Sequence, residues 1–138
     1  MTGEYKHSID SKGRVFIPAK LRDEMGEVFY TTISMDRCLC LYNSETWKDF
    51  CDKVNAMSYI QQRKMRPFFA YAAKCEIDSQ GRTLIPQQLR NYAGITKAVT
   101  VIGCNNHAEI WDSEEWQKIY NEEAAPDKIS AVMEELGF

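Results

Sequence analysis

Ile9-Asp10-Ser11-Lys12-Gly13-Arg14-Val15-Phe16-Ile17-Pro18-Ala19-Lys20-Leu21-Arg22 returns 68 residues later as Ile77-Asp78-Ser79-Gln80-Gly81-Arg82-Thr83-Leu84-Ile85-Pro86-Gln87-Gln88-Leu89-Arg90, with nine of the fourteen positions identical. Self-similarity at one fixed offset marks a duplicated structural unit, and two copies are too few for a solenoid. Each copy spells a turn, a strand and the start of a helix. Asp10 opens a type I turn with its side chain, and Gly13 supplies the positive φ of a tight hairpin three residues later. Val15, Phe16 and Ile17 suit a returning strand. Pro18 suits the first position of a helix, where its missing N–H is not needed, and Gly26 stops that helix. Gly81, Pro86 and Gly94 repeat the same punctuation.

Working outward, residues 4–10 read as a strand entering the first turn, 14–17 as its return and 18–25 as a short helix. Val28 to Ile33 and Cys38 to Tyr42 read as a second hairpin. Ser44 is the expected cap of the next helix, in which Trp47, Phe50, Cys51, Val54 and Met57 keep a helical period. Ala98 to Ile102 and Ala108 to Trp111 repeat the hairpin, and Asp112-Ser113-Glu114-Glu115-Trp116 answers Asn43-Ser44-Glu45-Thr46-Trp47 at an offset of 69. Residues 58–72, where Arg63, Lys64 and Arg66 mix with Phe68, Phe69 and Tyr71, read as a connector helix that Pro67 starts or kinks. Asp127 is the expected cap of a final helix with Ile129, Val132, Met133 and Leu136 on one face. The division is therefore 1–57 and 73–120 as two repeats with their following helices, 58–72 as connector and 121–138 as an acidic helical tail.

Length suits about one domain, in which two halves share a core. The net charge of −3 argues against indiscriminate coating of nucleic acid, but it hides an asymmetry. Residues 109–138 carry nine acids against two lysines, which leaves fifteen bases against eleven acids in residues 1–108. Arg14 and Arg82 follow the turn glycines, where a hairpin tip projects a cation into solvent. One reading of each is a surface charge bonded to the aspartate four residues earlier. Around Arg14, however, Lys6, His7, Lys12, Lys20 and Arg22 form an electrostatic footprint for phosphates.

Five cysteines with no signal peptide read as reduced thiols. Cys38-Leu39-Cys40 with His107 could form a metal half-site, but the spacing is not that of a zinc finger and strand alternation explains it as well. No metal or cofactor is expected, and no apolar run is long enough to span a membrane.

Two Asp-x-x-Gly-Arg motifs, each followed by Ile-Pro and a short helix ending in Gly, together with Glu4-Tyr5, Ala73-Lys74-Cys75-Glu76 and Ile110-Trp111, resemble the MraZ family of bacterial transcriptional regulators over nearly the whole chain. Each half singly resembles the AbrB-type swapped-hairpin DNA-binding domains, in which two copies intertwine. The resemblance implies an α+β fold: two tandem swapped-hairpin AbrB-like β-domains forming a pseudo-twofold intertwined sheet or barrel with flanking helices. It also implies a cytoplasmic, nucleoid-associated regulator of the division and cell-wall gene cluster. Such a protein binds tandem short promoter repeats in double-stranded DNA as a ring-shaped homo-oligomer. Carried over, Asp10 and Arg14 match the first motif and Asp78 and Arg82 the second, and Lys6, His7 and Arg22 fall where the swapped-hairpin family often places basic DNA contacts; the turn-shaping Gly13 and the clustered Lys12 and Lys20 complete the candidate DNA-binding set. The second copy departs from the pattern at Gln80, Gln87 and Gln88, which predicts a weaker part for it in DNA binding.

Two other classes compete. An enzyme lacks support, because no nucleophile motif and no glycine-rich phosphate loop is present, and each Asp of a possible carboxylate pair sits where a turn wants it. An AbrB-type antitoxin or protein-interaction module would use the apolar C-terminal helix and the acidic tail. No small-molecule substrate is expected.

Overall fold

A computed structural model describes residues 1–138. In chain order the first copy contains β1 (Glu4–Ser8), β2 (Arg14–Phe16), α1 (Ala19–Met25), β3 (Val28–Ile33), β4 (Leu39–Asn43) and α2 (Ser44–Asn55). Two short helices, α3 (Tyr59–Lys64) and α4 (Arg66–Tyr71), lead to the second copy. That copy contains β5 (Ala73–Glu76), β6 (Arg82–Leu84), α5 (Gln87–Ala93), β7 (Ala98–Cys104), β8 (His107–Asp112) and α6 (Ser113–Glu123), and α7 (Pro126–Glu135) ends the chain. The fold is α+β with an antiparallel main sheet.

Six strands form that sheet in the order β1-β7-β8-β4-β3-β5, while β2 and β6 form a separate two-stranded ladder. The expected return of residues 14–17 onto 4–10 does not occur. Instead β2 pairs with β6 of the other copy, Arg14 opposite Leu84 and Phe16 opposite Arg82. β1 lies on β7 and β5 lies on β3, so the first strand of each copy joins the third strand of the other. The physical reason is length. β2 and β6 have three residues each, too few to hold a hairpin with the preceding strand of their own copy, whereas the crossed arrangement buries Val15, Ile17 and Ile85 completely.

At the centre β4 pairs with β8, with Leu39 opposite Ile110, Cys40 opposite Glu109 and Leu41 opposite Ala108. Cys40 and Glu109 are 69 residues apart, the repeat offset, so the internal twofold runs between a residue and its own duplicate.

Side chains alternate across the sheet. Phe29, Leu39, Leu41, Val99, Val101 and Ile110 face one way and share a core with Val15, Ile17 and Ile85 of the small ladder and Leu21, Met25 and Leu89 of α1 and α5. Complete burial of each large apolar side chain stabilises the fold by about 1.5–3 kcal/mol. On the opposite face Tyr30 stacks on Trp47 and Tyr42 on Phe50, and Phe69 of α4 closes over that aromatic group. Trp111 packs there on Trp116 of α6.

Three local expectations need correction. Asn43, not Ser44, caps α2, accepting from the Thr46 N–H at 2.8 Å, while the Ser44 hydroxyl donates to the Val28 carbonyl. The connector is two helices broken at Met65, with Pro67 in the first turn of the second. Asp127 lies inside the first turn of α7 and does not cap it, and the apolar face of Ile129, Val132, Met133 and Leu136 stays open to solvent.

Candidate nucleic-acid interface

The two Asp-x-x-Gly-Arg turns are built alike. The Asp10 N–H donates to the Arg14 carbonyl at 3.0 Å and the Gly13 N–H to the Asp10 carbonyl at 3.0 Å; the equivalent bonds at Asp78 are 2.8 and 3.0 Å. Asp10 Oδ1 accepts from the Lys12 and Arg14 N–H groups, both at 2.9 Å. Asp78 Oδ1 accepts from Gln80 and Arg82 in the same way, at 2.9 and 3.0 Å. Each aspartate thus occupies two backbone donors that the tight turn would otherwise leave free.

The Arg14 backbone bond, reinforced by that residue's side chain, holds the Asp10 carboxyl at about 2 against a partial desolvation cost. The Arg82 backbone bond lowers Asp78 likewise.

The β2–β6 ladder brings the two turns against each other. Arg14 Nε donates to Asp10 Oδ2 at 2.7 Å, and Arg82 Nη1 reaches the same oxygen at 3.4 Å. Asp10 therefore serves both arginines, whereas Asp78 Oδ2 lies 3.9 Å from Arg82 Nε and Arg82 also donates to Gln80. The glycines interlock reciprocally. Ile17 N–H donates to the Gly81 carbonyl and Ile85 N–H to the Gly13 carbonyl, each at 2.9 Å. A methyl group on Gly13 would stand 2.7 Å from Arg90 Cζ, and one on Gly81 would stand 2.5 Å from Arg22 Nη1. Each turn is thus roofed by an arginine from the helix of the other copy. Arg22 also lies 5.4 Å from the centroid of the Phe16 ring, a cation–π distance, and His7 packs on the same ring at 5.0 Å.

Of the sequence-derived residues, the fold gathers Asp10, Gly13, Arg14, Arg22, Asp78 and Arg82 at the crossing and attaches His7 through Phe16. Lys12 on the turn and Lys20 on α1 are exposed. Lys6 stands apart from this group: it is paired with Thr100, whose hydroxyl bonds Ser113 of α6, so strand alternation sets it on the helix-covered face. The arginines take the ion-paired alternative, although the Arg82 guanidinium lies closer to the other copy's aspartate than to its own. Instead of projecting freely they lean on Asp10, with side chains 30% and 28% exposed.

Arg90 is the residue that sequence reasoning passed over, although Leu89-Arg90 repeats Leu21-Arg22 outright. With it the crossing holds four guanidiniums against two carboxylates. The Nε donors of Arg22, Arg82 and Arg90 have no acceptor in the chain. The result is a net positive surface composed from both copies.

The family model for the MraZ protein, whose description adds the qualifier antitoxin-like, matches residues 1–66 and again residues 68–135. The chain belongs to the MraZ family. The double match follows the duplication, each span containing one Asp-x-x-Gly-Arg turn. A relative named Transcriptional regulator MraZ from Caldicellulosiruptor bescii is 45% identical, with 99% of each chain covered. One from Heliobacterium modesticaldum is 46% identical over 90% of this chain and 88% of its own. One from Finegoldia magna is 48% identical over 86% and 85%. As in the sequence reading, no helix of this MraZ-family chain is long and apolar enough to cross a membrane.

Proposed function

We propose that this chain is a sequence-specific transcriptional regulator that binds double-stranded DNA through the crossed turns. The observation that carries the reading is the sharing of Asp10 by Arg14 and Arg82, which fuses two motifs into one fixed cationic surface. Each half acts as an AbrB-like swapped hairpin, the exchange taking place within one chain.

A two-stranded ribbon fits the major groove, where an arginine can make two hydrogen bonds to O6 and N7 of guanine. Arg14 is the base-reading residue in this mechanism. Asp10 positions it, as bonding at Nε leaves the Nη groups free to donate. Lys12, Lys20, Arg22 and Arg90 neutralise phosphates and set the register without reading sequence. Lys6, on the other face, takes no part. Arg82 has the lesser role, because its own aspartate holds it loosely and Gln80 stands where the first copy has Lys12.

One module of this size binds weakly. Several subunits of a ring-shaped homo-oligomer on tandem promoter repeats raise the effective concentration of each contact. The division and cell-wall gene cluster is the proposed target, and the nucleoid the proposed location. No catalytic step and no small-molecule substrate belong to this function.

An antitoxin-like or protein-interaction role is the second reading, favoured by the open apolar face of α7, where Leu136 is 66% exposed. Fluorescence anisotropy separates the two, using a labelled duplex from upstream of the chain's own gene beside a scrambled duplex of the same length. Tighter binding of the native duplex supports the regulator; equal binding of both duplexes overturns it.

A further inference from the structure

The helix-covered face of the sheet carries a group of side chains that DNA binding does not use. Cys40 of β4 and His107 and Glu109 of β8 bring one donor atom each to within 4.8 Å of one another. They meet at the seam between the copies, where Cys40 is opposite Glu109. The duplication makes the arrangement more telling. Residues 38 and 40 correspond at the repeat offset to 107 and 109, and all four positions carry a metal-ligating type: Cys38, Cys40, His107 and Glu109.

We propose that Cys40 Sγ, His107 Nε2 and Glu109 Oε2 form a binding site for a zinc-class divalent cation, with the fourth position taken by water. The sequence spacing alone argued against a metal, because it is not that of a zinc finger and strand alternation explains the two cysteines as well. The seam register removes that objection.

The second shell fits the assignment. Ligating histidines characteristically donate their other N–H to a fixed acceptor, which sets the tautomer. His107 Nδ1 is 2.9 Å from Asn106 Oδ1, an acceptor for an Nδ1 proton once Nε2, now 3.1 Å from Glu109 Oε2, gives up its own to ligate. Trp111 Nε1–H donates to Glu109 Oε1 at 3.0 Å, which leaves Oε2 for the ion. His107 Nε2 and Glu109 Oε2 already stand 3.1 Å apart, and ligand atoms around tetrahedral zinc are roughly 3–4 Å apart. A thiolate and a carboxylate together balance a dication, and the sulfur–imidazole–oxygen set suits zinc over magnesium or calcium.

The entry path is a cavity of about 600 Å³ bordered by Tyr42, Phe50, Met65 and Phe68, into which Cys40, His107 and Glu109 open. Binding releases the Cys40 thiol proton and the proton between His107 Nε2 and Glu109 Oε2, and the ion takes their place. The bound ion would tie β4 of the first copy to β8 of the second.

The test uses the tag-free full chain, stripped by a chelator and titrated with Co²⁺ as a spectroscopic probe and then with Zn²⁺ in competition. The expected result is a sulfur-to-cobalt charge-transfer band saturating at one equivalent per chain, bleached by Zn²⁺, with a rise in melting temperature on adding Zn²⁺. Cys40→Ser and His107→Asn, each verified as folded by circular dichroism, are expected to lose the band. His107 is only half-buried, so its variant covers the case in which Cys40→Ser does not fold. Asn106→Ala is expected to weaken affinity about tenfold or more with the fold intact, and Cys51→Ser on α2 to bind as wild type does. No band in the wild-type chain, or a band kept in Cys40→Ser or His107→Asn, overturns the assignment.

Discussion

Replacing the turn glycines one at a time separates backbone strain from the interlocking of the two copies. Gly13, Gly81 and Gly94 have φ of +86°, +80° and +65°. An alanine at any of them carries a left-handed conformation that costs about 1–2 kcal/mol. Their surroundings differ. Nothing lies within 4 Å of a methyl group on Gly94, so Gly94→Ala pays strain alone. On Gly13 the methyl meets Arg90 Cζ at 2.7 Å, the end of a flexible side chain that can move aside. On Gly81 it meets Arg22 Nη1 at 2.5 Å and also the Phe16 ring at 2.9 Å. That ring is pinned between His7 and Arg22, and crowding of this kind adds about 1–3 kcal/mol. The expected order of stability loss is Gly81→Ala, at about 2–5 kcal/mol in total, then Gly13→Ala, then Gly94→Ala. Urea denaturation reads the series as falling midpoints at constant m-value. If Gly81→Ala costs no more than Gly94→Ala, the reciprocal roofing of each turn by the other copy's arginine is wrong.

Three further outcomes are expected. Asp10 has its carboxyl lowered from 3.8 to about 2, so its contribution to stability is complete above pH about 4 and is lost as pH falls towards 2. Acid titration should show that loss in the wild type and a smaller one in Asp10→Asn; identical curves would remove Asp10 as the clamp. Lys12→Ala should weaken DNA binding across sequences and reduce the salt slope by about one; an unchanged slope would take Lys12 off the phosphates. Leu41→Ala, at a fully buried position beside the seam, should cost about 2–5 kcal/mol in a denaturant melt, and a loss under 1 kcal/mol would place the core elsewhere.

Much of this fold is written in local chemistry. Asp10, Gly13 and Gly26 mark a turn and a helix stop through side-chain bonding and backbone freedom, and the duplicate punctuation reports the same structure twice. The partner of each strand is not written there. Val15 and Thr83 pair across the two copies, and a three-residue strand carries no local sign of which neighbour it will find.

The basic residues show the same division. Tyr5 and His7 alternate with Lys6, so the pattern already held the warning that Lys6 faces the other way, while Arg90 was visible as the duplicate of Arg22. The juxtaposition of Cys40 with Glu109 was hidden, since only the β4–β8 register brings them together. Ser44 lost the cap to Asn43 by a single residue, within the usual slack of helix boundaries.

The most direct test of the crossed turns as a DNA-reading surface is a double-mutant cycle on native-duplex affinity with Arg14→Ala, Arg82→Ala and both together, measured at one fixed salt concentration. Arg14→Ala should lose about 1–3 kcal/mol and Arg82→Ala less, and the two should couple by at least about 0.5 kcal/mol because they share Asp10. Wild-type affinity in Arg14→Ala, or strictly additive losses in the pair, would contradict a single shared site.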